Sequence, residues 1–315
     1  MKDQYGRNIT YLRISVTDKC NLRCTYCMPE DGVIPVSHAD ILSVEETIQV
    51  AEVAASLGIS KIRITGGEPL VRKGIVDMCR GLMQIPGIEE ICMTTNGTLL
   101  PAYAKGLWDA GVRRINISLD TLDPQKYADI TRGGTLKDAL NGLKAAQEIG
   151  FNPIKINVVL LKGFNDNEIA DFVLLTKHMN VDVRFIELMP IGCQKDKNDF
   201  LSCDSVIEAV PALRILHESD GVSDLYQLPD GVGRIGLIRA ISCKFCSHCN
   251  KIRLTADGKL IPCLHAPLEI TIRGLTRLQQ KEAIEQAILL KPIDSGTLDD
   301  THPSCASRNM HQIGG

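Results

Sequence analysis

Aromatic side chains are scarce in this chain: Phe, Trp and Tyr make up 4% of 315 residues, with a single Trp. That scarcity excludes an aromatic platform on which nucleic-acid bases stack in series. No strong excess of one charge exists either. The formal net charge is −3, which excludes a general binder of nucleic acid or acidic membrane. Any anionic ligand must then be met by a local basic cluster. No apolar run approaches the ~18 residues of a membrane-spanning helix, and Met1 to Thr10 are polar, without a signal-peptide core. The chain is therefore expected to be cytoplasmic, a reducing place where structural disulfides do not persist. At 44% apolar and 23% charged residues, it can bury a sizeable core.

Cysteine, by contrast, is plentiful, at twelve residues, which in a reducing compartment points to metal ligands and buried thiols. Cys20, Cys24 and Cys27 stand at spacings of four and three, directly after the alternating run Arg13-Ile14-Ser15-Val16-Thr17. Cys thiolates hold iron–sulfur clusters, and three of them on a [4Fe–4S] cube leave one iron open to an outside molecule. A zinc site would recruit a fourth Cys or His close by, and none follows before His38. The triplet also resembles the radical S-adenosylmethionine (SAM) signature, with the aromatic Tyr26 just before the third Cys. That resemblance implies that the open iron chelates the methionyl part of SAM.

Downstream, a unit repeats. Helix-patterned segments over 45–57 and 138–149 each end at a Gly, and the same strand register begins after each of four glycines. Gly58 is followed by Ile62 and Ile64, Gly87 by Ile91 and Met93, Gly111 by Ile115 and Ile117, Gly150 by Ile154 and Ile156. A Gly stops a helix where the chain needs positive φ. Helix, cap and strand recurring every ~30–50 residues imply βα units, a parallel sheet and right-handed crossovers. The alternate strand positions are polar: Arg63 and Thr65, Cys92 and Thr94, Asn116 and Ser118, Lys155 and Asn157. A polar inner face cannot fill a dry barrel of stacked aliphatic layers. The expected α/β fold is thus an open, partial βα barrel around a ligand-holding lumen, with chemistry at the strand C-terminal ends. An ordinary doubly wound sheet is the plainer alternative.

Strand two ends in Gly66-Gly67-Glu68-Pro69. The double Gly allows close backbone approach, and Glu68 is expected to accept hydrogen bonds from an amine. After the Cys triplet this resembles the radical SAM motif that holds the SAM amino group. Lys155, Arg63 and Arg13 all point inward, and buried cations need anions. Three converging on one lumen suggest a polyanion such as a nucleoside triphosphate. The plainer reading pairs each with Glu68, Glu187 or Asp120. Met189 reads as core, residues 192–200 as a loop leaving the barrel, and 204–215 as helical.

A second cluster of cysteines follows: Cys243, Cys246, Cys249 and Cys263, with Lys251 and Arg253 directly after Cys249. Spacing alone leaves a zinc ribbon and an iron–sulfur site level. An anion near this site fits the two cations. Taken together, Cys20/Cys24/Cys27, Cys246/Cys249/Cys263 and the end Arg308-Asn309-Met310-His311-Gln312-Ile313-Gly314-Gly315 resemble the GTP 3′,8-cyclases over essentially the whole chain. These are the radical SAM enzymes that begin molybdenum cofactor biosynthesis.

The resemblance implies a radical SAM type partial barrel over residues 1–192 and a C-terminal region, 193–315, carrying a second [4Fe–4S] cluster on Cys246, Cys249 and Cys263 and the Gly-Gly tail. Tyr26, Gly67, Ser118 and Met189 would contact SAM. Arg13, Arg63, Thr94, Lys155, Lys251, Ile252 and Arg253 would contact GTP. SAM cleavage at the first cluster would yield a radical that takes the ribose 3′ hydrogen, and the 3′ carbon would close on guanine C8 to give 3′,8-cyclo-7,8-dihydro-GTP. The implied partners are an electron donor, a downstream enzyme that makes cyclic pyranopterin monophosphate, and a second copy in a homodimer. The tail would enter the active site, although a Gly-Gly end taken by itself reads as frayed. Two departures stand out: Lys251 where the family has Arg, and the extra thiol of Cys243. Cys79, Cys92, Cys193, Cys203 and Cys305 read as ordinary thiols. Two other readings stay open: a different radical SAM enzyme with an auxiliary cluster, acting on peptides, or a nucleotide-binding paralogue without turnover.

Overall fold

The computed structural model describes residues 1–31, 36–192, 199–219, 221–298 and 304–314; Cys193 and Gly315 lie outside them. Six parallel strands form its centre: β1 (Tyr11–Ser15), β2 (Lys61–Thr65), β3 (Glu90–Thr95), β4 (Arg114–Ser118), β5 (Ile154–Leu160) and β6 (Val181–Glu187), each paired with the next. Between them run the helices α1 (Val44–Ser56), α2 (Ile75–Met83), α3 (Leu100–Asp109), α4 (Pro124–Thr131), α5 (Leu136–Ile149) and α6 (Ile169–His178).

The local causes are those the repeat implies. Ser43 and Glu46 close a reciprocal capping box on α1, each side chain accepting the other's backbone N–H. Gly58, Gly87, Gly111 and Gly150 have φ of 93°, 91°, 96° and 93°. Ile62, Ile64, Ile91, Met93, Ile115, Ile117, Ile154 and Ile156 are all buried beneath the helices. Each contributes about 1.5–3 kcal/mol by leaving water. The alternate residues point to the other face of the strands.

The remaining strands extend this sheet at both ends. After α7 (Asp204–Ala209), β7 (Arg214–Ser219), β8 (Asp224–Gln227) and β9 (Arg234–Ile238) form an antiparallel meander attached to β6 through β9. The helix expected over 204–215 therefore stops early, because the pairing of β7 with β8 claims residues 214 onward. At the other end β10 (Lys251–Leu254) lies parallel to β1, followed by β11 (Lys259–Ile261) and β12 (Ile270–Thr271). The single sheet runs β12-β11-β10-β1-β2-β3-β4-β5-β6-β9-β8-β7 and stays open between its two edges. Helix α8 (Arg277–Leu289) packs on α1, and the short α9 (Met310–Ile313) returns to the sheet. Among the described residues, no helix is long and apolar enough to cross a membrane.

Candidate active site

A cavity of about 590 Å³ occupies the concave face of the sheet. Its two ends are reached from opposite ends of β1. The loop bearing Cys20, Cys24 and Cys27 follows the C-terminal end of that strand. Cys249 precedes β10, whose first residue pairs with Tyr11 at the start of β1. Because β10 and β11 are antiparallel, with Arg253 opposite Ile261, the hairpin brings Cys263 back to the Cys249 end. Five residues of β1 separate the triplets, roughly 16 Å at ~3.3 Å per residue. The chemistry is thus not confined to the strand C-terminal ends; the second triplet stands at the opposite rim. All six cysteines line the cavity.

The first loop is laid across the strand ends by Gly66 and Gly67. Gly67 N–H donates to Thr17 O (2.8 Å) and Glu68 N–H to Lys19 O (2.8 Å). A Cβ on Gly67 would sit 2.4 Å from Lys19 O, so only Gly lets the loop lie there. Glu68 is fully buried and turned to the neighbouring strand rather than into the cavity. Its carboxylate accepts from Leu70 N–H, Thr95 Oγ1 and Asn96 N–H. Burial, against those hydrogen bonds, pushes it up to about 7. Its oxygens hold β2 to the end of β3. Tyr26 donates to Asp120 Oδ2 at 2.6 Å, and Val159 N–H donates to Asp120 Oδ1 at 2.8 Å. Burial raises Asp120 to about 6 despite both bonds. Burial also drives the Cys20 thiol up to about 11 and Cys24 well above its ordinary value, with Cys27 and Asp120 adding to the latter.

The second end has the opposite electrostatics. Cys249 is held below the ordinary thiol value: burial opposes this, but the charges of Lys291 and Lys251 outweigh it. Lys251 is pushed down to about 8 by burial and by the nearby Arg13, Arg253 and Arg63. Between the ends, Arg63 donates through Nε to Tyr11 and through Nη1 to Thr94 Oγ1 (3.2 Å). Arg253, Arg13 and Arg63 stand side by side at matched registers of β10, β1 and β2.

The chain's C-terminal segment enters this row. Arg308 is anchored to Asp257 and Glu269. Gly314 O accepts from Arg253 Nη1 (2.6 Å) and Arg13 Nη2 (3.1 Å). Gly314 has φ of 70°, and a Cβ there would lie 2.0 Å from Thr65 Oγ1. The end is packed inside the cavity, and His311 Nδ1 lies 3.2 Å from Cys27 O. Through Gly314, the last described residue, the segment is packed and not frayed.

Of the residues singled out from sequence, Arg13, Tyr26, Arg63, Gly67, Thr94, Ser118, Met189, Lys251 and Arg253 line the cavity with the six cysteines. Lys155 and Ile252 do not. Lys155 is buried at the base of the lumen, 3.3 Å from Asp182 Oδ2, and Asp182 also takes a bidentate pair of hydrogen bonds from Arg234. Ile252 is fully buried in the core on the other face of β10. Sequence reasoning passed over Lys61, Arg114, Arg184 and Lys291, all in the wall. Arg184 alternates with Val183 and Phe185, so strand parity could have found it; nothing local marks Lys291.

The donor set fits the groups the motifs imply. Each end offers three thiols, none of them in a disulfide. Asn157 Oδ1 and His311 Nε2 are buried cavity-wall atoms without a hydrogen-bond partner among the described residues, as ligand-facing groups are. Among those residues no three His, Cys, Asp or Glu side chains close on a single-ion position, so the fit rests on donor chemistry and not on a preformed cage.

Comparison with known proteins agrees with this layout. The Radical SAM superfamily matches residues 14–176, and Molybdenum Cofactor Synthesis C matches residues 181–294. A GTP 3′,8-cyclase of Peptoclostridium acidaminophilum is 50% identical over 320 residues, covering 99% of this chain and 98% of that one. The GTP 3′,8-cyclase of Alkaliphilus oremlandii is 48% identical over 321 residues, covering both chains completely. Among solved structures, Streptococcus suis SuiB superposes with a TM-score of 0.58 at 16% identity, over 82% of this chain and 61% of that one, a likeness of fold alone.

Proposed function

This chain belongs to the GTP 3′,8-cyclase family of radical SAM enzymes, and from that premise we propose a division of labour within its cavity. With two [4Fe–4S] clusters and SAM as cofactors, it converts GTP to 3′,8-cyclo-7,8-dihydro-GTP in molybdenum cofactor biosynthesis. When bound, these groups supply the one-electron chemistry that side chains cannot.

The residues do the rest. Cys20, Cys24 and Cys27 would hold the first cluster, and Cys246, Cys249 and Cys263 the second, so residues 1–192 and 193–315 each bring one. Tyr26, Gly67, Ser118 and Met189 would hold SAM beside the first. Asp120 fixes the Tyr26 hydroxyl, and its buried carboxylate suits a cationic sulfonium. Arg13, Arg63, Thr94, Lys251 and Arg253 would bind GTP. Arginine forks suit phosphate oxygens, and a low-dielectric lumen strengthens them. Lys155 would act from below the wall on charge balance, and Ile252 only through its main chain. Held between the two ends, ribose and purine would lie near their closing geometry, with water excluded by the tail. An outside electron donor, an enzyme consuming the cyclised nucleotide, and pairing of two copies complete the reading.

The observation that carries it is one cavity with a cysteine triplet at each end and an arginine row between. Metal analysis of anaerobically prepared protein tests it. About eight irons and eight sulfides per chain without zinc, and SAM cleavage stimulated by GTP, are expected. About four irons with one zinc would reduce the second triplet to a structural ribbon and sink the two-ended site.

A further inference from the structure

Segment 291–296 leaves α8 and wraps the second triplet. Arg7 donates to Cys246 O (2.9 Å), Ile293 O (2.9 Å) and Pro292 O (2.5 Å), tying this strap to the first ligand. Lys291 opens the strap and is 2% exposed. Its ammonium donates to Lys251 O at 2.8 Å and to Pro262 O at 2.9 Å. Lys251 stands two residues after Cys249, and Pro262 directly before Cys263. One side chain therefore bridges the two chain segments that must converge for the triplet to work as a unit.

Its ammonium thus sits between the residues that flank Cys249 and Cys263. A buried ammonium costs several kcal/mol unless an anion faces it. Among the described residues no carboxylate pairs with Lys291, and carbonyl oxygens offer only dipoles. A cluster held by the flanking cysteines, with its anionic sulfurs, would supply the missing charge. Cations and N–H donors at cluster sulfurs also favour the reduced, more negative state.

We propose that Lys291 is a positioning residue that locks the two segments of the second triplet together and raises the reduction potential of the cluster they hold. The inference rests on the reading of Cys246, Cys249 and Cys263 as cluster ligands, and its test separates the two. Full-length protein, Lys291→Met and Lys291→Arg would be reconstituted anaerobically, then followed by iron and sulfide analysis and by an EPR-monitored redox titration.

In Lys291→Met, the first cluster is expected to keep its signal and potential. The second cluster is expected either to be missing, halving the iron, or to titrate at a more negative potential. Lys291→Arg, which keeps the charge and the donors, is expected to restore it. Parent-like iron and unchanged potentials in Lys291→Met would overturn the inference. Joint loss of both clusters and of helical signal in both variants would also overturn it, by assigning Lys291 to folding. A parent protein with only about four irons would bring down the cluster reading itself, and the inference with it.

Discussion

At one end of the cavity three cysteines come from one loop after β1; at the other they come from two segments joined by the β10–β11 hairpin. The first set lies beside the buried carboxylate of Asp120, with thiols pushed up. The second lies among cations, with Cys249 pulled down through Lys291 and Lys251 against burial. On the proposed reading, the difference sorts the two ligands by charge. A sulfonium is at home beside carboxylates, and a triphosphate beside guanidinium groups. Within the lumen, a polar gradient along about five residues of β1 would, on the proposed assignment, orient two unlike molecules without any change of fold.

The sharpest way to break this comparison is to remove one cysteine from each end. Cys24→Ala is expected to abolish SAM cleavage and about half of the iron. Cys263→Ala is expected to lose the same iron yet retain GTP-independent SAM cleavage. Iron analysis and chromatographic detection of 5′-deoxyadenosine would check both. Loss of cleavage in both variants would mean that the ends are not independent.

A smaller effect separates ligands instead of metals. Arg253→Met should weaken GTP binding about 10- to 100-fold, since a hydrogen bond to a charged group contributes about 1.5–3 kcal/mol. SAM affinity should stay unchanged. Calorimetry on the reconstituted protein decides, and equal GTP affinities would take Arg253 out of the site.

The smallest concerns pH. Glu68, raised to about 7 by burial, holds its proton in the folded state when the unfolded chain has already lost it. Its stabilising contribution is therefore complete below about 4.5 and is lost as pH rises through about 7. The cofactor-free protein should then resist urea better at pH 5 than at pH 7, by at most about 3 kcal/mol from this group. Glu68→Gln should flatten that dependence, and an equal slope in both proteins would assign it elsewhere.

Much of the barrel is legible in the sequence because its signals are local. Gly58, Gly87, Gly111 and Gly150 mark helix ends, since few other residues take positive φ cheaply. Period-two alternation then places Arg63, Thr94 and Ser118 on the inner face. What escapes is whatever depends on distant pairing. Nothing near residue 251 announces that β10 will lie beside β1, so the second triplet's place at the opposite rim is invisible from spacing. Lys291 is hidden for the same reason, as its contacts come from strand ends far away in the chain. Lys155 was legible as a buried cation but not as the partner of Asp182, because that choice follows from register across β5 and β6.

The pairing of β1 with β10 also sets an order in time. On a ribosome, β1 is among the first segments to emerge, and β2 can join one of its sides early. The other side has to wait until residues 251–254 have been made. Until then the growing chain carries an unpaired, largely buried-type strand edge at its centre, the kind of surface on which chains stick to one another. The last strands to arrive close that edge, complete the second triplet and deliver the tail into the lumen. Synthesis of the C-terminal third and completion of the catalytic cavity are the same event.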